Sequence, residues 1–139
     1  MSDDNKALMQ RFYDEVVNAG NLDLIAELLA DDFVEHEEFP GIPPTREGVK
    51  QFFAILKAAF PDGTMTAEDL IAEGDRVAAR AKFRGTHQGE FMGVPATGRP
   101  VDVQLVDIVQ FRDGVGIAHW GVFDAMAMMQ QLGAIPEPG

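Results

Sequence analysis

At Pro61-Asp62-Gly63 the hydrophobic rhythm of the chain changes, and that change limits the folds open to it. Upstream, apolar residues recur every three to four positions, as on one face of a helix. Downstream they recur every second position, as on one face of a strand. In "DDNKALMQRFYDEVVNAG", Leu8, Phe12 and Val16 fall at i, i+4 and i+8, which predicts an amphipathic helix ended by Gly20. Asn21 can cap a short helix over "LDLIAELLA", and the proline-bearing "DDFVEHEEFPGIPP" reads as a loop. Thr45 is placed to cap a third helix running to Phe60, with Val49, Phe52, Phe53, Leu56 and Phe60 on one stripe.

Beyond Gly63, two strands are expected around the turn Glu73-Gly74-Asp75. In the second, Val77, Ala79, Ala81 and Phe83 alternate with charged neighbours, so one face is buried and one wet. "GRPVDVQLVDIVQF" predicts a longer strand, turned by Arg112-Asp113-Gly114 into "VGIAHWGVF". A last helix, "DAMAMMQQLG", stops at Gly133. With neither repeat nor linker, residues 1–139 are expected to form one domain. Helices first and antiparallel strands after them predict an α+β fold, in which helices cover one face of a curved sheet and leave a pocket between the layers.

Composition removes several functions. A formal charge of −12, with no cluster of cations, repels a phosphate backbone, so neither nucleic acid nor an anionic membrane is an expected partner. In "RVAARAKFR" the cations Arg76, Arg80, Lys82 and Arg84 all fall at even positions, as on the wet face of a strand. No run of apolar residues is long enough to span a bilayer, and "MSDDNK" does not look like a signal peptide. With no cysteine there is neither a disulfide nor a thiolate metal site. A cytoplasmic location is expected.

Several residues stand out against this frame. Asp107 interrupts the apolar strand "QLVDIVQF", where a carboxylate must be paired, protonated or lining a cavity. Asp124 can either N-cap the last helix or face a pocket, and capping would make it a weaker base. His119 alternates with Ile117, Gly121 and Phe123, while Trp120 points to the other face. His87 lies in the glycine-rich "GTHQGEFMGVPATG", and His36 stands among Glu35, Glu37 and Glu38. The three histidines occupy distant segments without the short ligand spacing of a metal site, so no metal is expected. Phosphate-loop, nucleophile-elbow and dinucleotide signatures are absent too.

Three segments, "RFYDEVVNAGNLDLIAELLADDFVEHE", "GTHQGEFMGVPATGRPV" and "HWGVFDAMAMMQQLG", together resemble the SnoaL-like polyketide cyclases of the nuclear transport factor 2-like superfamily. The resemblance runs over nearly the whole chain. It implies a cone-shaped α+β fold, a strongly bent antiparallel sheet around an apolar pocket with N-terminal helices over its mouth. It further implies intramolecular aldol ring closure of a small aromatic or apolar ketone, with no cofactor. The general acid/base of the family falls in the segment matching "HWGVFD", and so on Asp124. Histidines at His36, His87 and His119 are implied to line the pocket, with Phe52, Phe53, Phe83, Leu105 and Met92 as its expected apolar lining. One departure is that Ala118 stands where the family often carries an acidic residue before the His-Trp pair. Two alternatives remain at this point: a hydroxylase- or isomerase-type relative using Asp107 as a second carboxyl, and a non-catalytic binding module. Val101, Val103, Val106 and Ile108 make both faces of one strand apolar, which predicts a homodimer or larger assembly.

Overall fold

The computed structural model describes residues 2–136. Helix α1 (Ser2–Arg11) runs without a break into a π-helical segment (Phe12–Asn18). A 3₁₀ turn (Leu22–Leu24) and the short α2 (Ile25–Leu28) lead into strand β1 (Leu29–Glu35). After α3 (Arg46–Ala59) come β2 (Thr64–Glu73), β3 (Arg76–Thr86), β4 (Pro100–Arg112), β5 (Val115–Phe123) and finally α4 (Ala125–Gln131). The strands form one open, curved sheet in the order β1-β5-β4-β3-β2.

From β2 to β5 the sheet is an antiparallel meander, as the alternating pattern predicts. Its bend is helped by two register shifts, with Glu68 the extra residue in β2 and Ile117 the extra residue in β5 opposite Gln110 and Phe111. β1 corrects two expectations. "DDFVE" is strand rather than loop, and it joins β5 in parallel, so the sheet is mixed. Its pattern is faint because it is an edge strand that shifts register between Leu29 and Val34. Phe33 is its one core residue past Leu29, while Asp31 and Asp32 face solvent.

The inner face of the sheet carries Val77, Ala79, Ala81 and Phe83 from β3 with Val101, Val103 and Leu105 from β4, all buried. α1, its π-helical extension and α3 pack over this face. α3 begins as expected: Thr45 Oγ1 accepts from Gly48 N at 3.2 Å. Gly48 is required there, because a Cβ would sit 1.8 Å from the Pro43 carbonyl oxygen. Phe60 closes the helix in an edge-on cluster with Phe83 and Phe91, at centroid distances of 5.3 and 5.5 Å. The two faces of β4 divide its valines: Val101 and Val103 point inward, whereas Val106 and Ile108 look outward beside Val122 and Trp120 of β5. Among the described residues no helix is long and apolar enough to cross a membrane.

Thr45→Ala is expected to lower stability by about 1 kcal/mol through the lost cap. Gly48→Ala should cost more, since the loop at Pro43 must move; urea denaturation of both variants measures the order.

Candidate active site

Between the helices and the inner face of the sheet lies an open cavity. Leu8, Phe12 and Tyr13 of the first helix, Phe52, Phe53 and Leu56 of α3, and Phe83, Leu105 and Phe123 of the sheet give it an apolar wall. The loop after β1 adds Phe39, whose ring stacks on Phe52 at 4.6 Å. Into this wall the sheet and the loop after β1 set one polar cluster: Glu35, Asp107 and His119 from strands and Glu37 from the loop.

Strand register assembles the cluster. Glu35 of β1 lies beside His119 of β5, and its Oε1 is 2.5 Å from Nδ1. Asp107 of β4 lies opposite Gly121, two residues along from His119 on the same face and within diagonal reach. Its Oδ1 is 2.8 Å from His119 Nε2. The Tyr13 hydroxyl donates to Asp107 Oδ2 at 2.5 Å. That phenol comes from the π-helical segment, whose wider turn buries Tyr13, Val16 and Val17 together. Gly121 leaves the space the cluster needs. A Cβ there would lie 2.5 Å from Glu37 Oε1, 2.7 Å from His119 Cε1 and 2.8 Å from Asp107 Oδ1.

Electrostatics follow from this geometry. Burial opposes a charge on His119, but the hydrogen bonds to Asp107 and Glu35, and the charges of both, outweigh it and push the imidazole up to about 10. His119 is therefore a cation at neutral pH, with both N–H groups engaged. Burial also pushes Glu37 up to about 7; the His119 charge pulls the other way, and Asp107 and Glu35 add to the rise. Burial and the Asp107 carboxylate hold the Tyr13 phenol above its ordinary value, so it remains a donor. Glu37, Asp107 and His119 also offer three ligand atoms within 4.8 Å of one another. An ion there would have to displace the His119–Asp107 bond, so the array fits a hydrogen-bonded cluster better than a metal site.

Of the residues anticipated from sequence, Asp107, His119, Phe52, Phe53, Phe83 and Leu105 line the cavity. Four others lie elsewhere, each for a local reason. His36 alternates outward between Glu35 and Glu37, and its exposed ring stacks on Trp120 at 4.7 Å, on the outer face of the sheet. His87 is fully buried away from the cavity, where its Nδ1 accepts from Thr97 N at 3.2 Å and pins the loop leading to β4. Met92 sits exposed on the tight turn from Phe91 to Val94, at φ +50°. Asp124 is exposed and caps α4, accepting from Ala127 N at 2.9 Å. Tyr13, Glu35 and Glu37 were not anticipated. A second helical stripe, Met9, Tyr13 and Val17, was there to read, and Glu35 and Glu37 share one parity along "EHE".

His119→Gln leaves two buried carboxylates without their cation and should cost about 3–5 kcal/mol at neutral pH. The raised folded value has a definite sign. Stabilisation by His119 is full below about 6.5 and is lost as pH rises through about 10. Thermal denaturation across that window should show the slope in the native chain and not in the variant.

The comparisons with known proteins agree on one family. The model of the SnoaL-like polyketide cyclases matches residues 7–132. Aklanonic acid methyl ester cyclase DauD of Streptomyces sp. (strain C5) is 29% identical over 123 residues, covering 86% of this chain and 76% of DauD. Among solved structures, the candidate polyketide cyclase IdmH of Streptomyces antibioticus is 40% identical at a TM-score of 0.79, covering 91% of this chain and 96% of IdmH. The candidate hydroxylase AclR of Streptomyces galilaeus is 30% identical at a TM-score of 0.87, covering all of this chain and 87% of its own. With its curved sheet, helical cover and family match over most of its length, the chain belongs to the SnoaL-like polyketide cyclase family.

Proposed function

We propose that the chain closes a ring in a small aromatic polyketide by intramolecular aldol addition, with Asp107 as the base that starts the reaction. The observation that supports this most is a carboxylate fixed by Tyr13 and His119 at the wall of an otherwise apolar cavity. Each carboxylate oxygen has a second lone pair, so Asp107 can still accept a proton from carbon. A methylene flanked by two carbonyls is acidic enough for such a base. Its carbanion is delocalised through the substrate's own conjugation, and this step calls on no cofactor. The His119 cation stabilises the enolate through its charge, because neither N–H is free to donate. The aromatic walls from Phe39, Phe52 and Phe123 suit a flat ring system and hold it in the conformation that closes.

The assignment moves the base from Asp124 to Asp107. Asp124 already serves as an exposed helix cap, outside the cavity lining. Asn caps as well as Asp, so Asp124→Asn leaves the fold intact and gives a clean control. A panel of polyaromatic ketones and methyl esters, aklanonic acid methyl ester among them, is screened for thermal shift and then for turnover. Asp107→Asn should lose at least about 100-fold in rate, while Asp124→Asn retains it. The opposite pattern sinks the assignment.

AclR favours one second reading, a hydroxylase on the same scaffold. Turnover that requires both Asp107 and dissolved oxygen would select it. Ligand affinity unchanged in the double Asp→Asn variant, with no turnover by either form, would instead leave a binding module. The outer sheet face carries exposed Val106, Val122 and Ile71, and burying them against a second copy supports a homodimer. Sedimentation as a monomer at micromolar concentration would contradict that. A cytoplasmic setting fits the cysteine-free, acidic composition.

A further inference from the structure

Ring closure needs an acid as well as a base, and the cavity is lined by further carboxyls besides Asp107. Glu37 lines the same cavity and meets the substrate side of the cluster over Gly121. Its ligand atom lies within 4.8 Å of those of Asp107 and His119. Of the other carboxyls lining the cavity, Glu38 is exposed and outside the cluster, and the remaining two are engaged. Asp107 accepts from Tyr13 and His119, and Glu35 accepts from His119 and from the Glu37 backbone N–H at 2.9 Å. Neither carboxyl oxygen of Glu37 is hydrogen-bonded to another described residue. It is the acidic group of the cluster left free to meet a substrate.

We propose that Glu37 is the general acid of the ring closure, giving its proton to the new alkoxide and receiving one back from Asp107. This rests on the aldol reading above. The steps balance. Asp107 takes a proton from the substrate methylene, and the C–H pair becomes the enolate. The enolate carbon attacks the second carbonyl carbon; a C–C bond forms and the C=O π pair moves to oxygen. Glu37 protonates that oxygen. Asp107 is then a neutral acid and Glu37 an anion, and one proton passed from Asp107 to Glu37 restores both. The product is an isomer of the substrate, with nothing oxidised or reduced.

The groups facing Glu37 are the His119 cation on β5, Asp107 on β4, Glu35 on β1 and the Tyr13 phenol of the first helix, with Glu38 next to it in the chain. Burial outweighs the pull of His119, so the carboxyl stays partly protonated up to about pH 7. That allows the acid and the base to coexist a few ångströms apart in opposite states. A single residue that both removed and returned the proton would need no such partner.

The test separates the two halves of the reaction. Polyaromatic methyl esters bearing a β-keto side chain are incubated in D₂O with the full chain, and NMR follows both methylene exchange and ring closure. Exchange above the buffer rate should depend on Asp107 alone, and closure on both residues. Glu37→Gln, close to isosteric, should keep exchange while closure falls about 100-fold. The decline of closure above about pH 7 should vanish in it, and Glu37→Asp should recover part of the rate. Thermal denaturation checks that both variants fold, and a carboxyl-labelled ¹³C-Glu titration should lose one resonance titrating near 7 in Glu37→Gln. Closure at the native rate in Glu37→Gln, or equal loss of exchange and closure, overturns the assignment and leaves the aldol reading standing. A native chain that catalyses neither exchange nor closure overturns the aldol reading, and this assignment with it.

Discussion

A histidine cation between two carboxylates holds the centre of this molecule. His119 on β5 joins Glu35 on β1 to Asp107 on β4, and Asp107 in turn receives Tyr13 from the first helix. Three strands and a helix are thereby tied at one point in a largely apolar interior. Taking one of these charges out of water alone would cost several kcal/mol. Together they compensate one another, and the imidazole remains charged well above its ordinary range. The parallel edge strand β1 has few core residues of its own, so its pairing beside His119 depends on this array more than on hydrophobic burial.

The same array explains how acid–base groups can face an apolar cavity. Small residues make the room: Gly121 opposite Asp107 admits Glu37 where any side chain would collide. Desolvation then does chemical work, because it raises Glu37 against the pull of the His119 charge. Placement decides which carboxyl can react. Asp124, on the far side of the strand end, spends its oxygen on the helix cap. Fold membership alone would not separate these roles, since cyclases and a candidate hydroxylase share the scaffold.

Much of the architecture is legible in the sequence. The change of period at Pro61-Asp62-Gly63, the Thr45 cap and the strands β2 to β5 all stand where pattern and turn chemistry put them. Asp107 and His119 could be singled out because a polar group on an apolar strand face has to be explained. β1 could not, since a short edge strand with two aspartates looks like a loop until its partner is known. His36 and His87 carried the right chemistry in the wrong direction. One faces outward by parity, and the other is used to pin a loop.

By itself the sequence determined the elements other than β1 and the face each turns to the core, because period, caps and turns act over a few neighbouring residues. Only the tertiary structure decided the site. Its bonds join residues 94 and 84 positions apart, Tyr13 with Asp107 and Glu35 with His119, and depend on a parallel pairing that no local signal specifies. A carboxyl's usefulness follows from what surrounds it, and those surroundings exist only once β1, β4, β5 and the first helix meet.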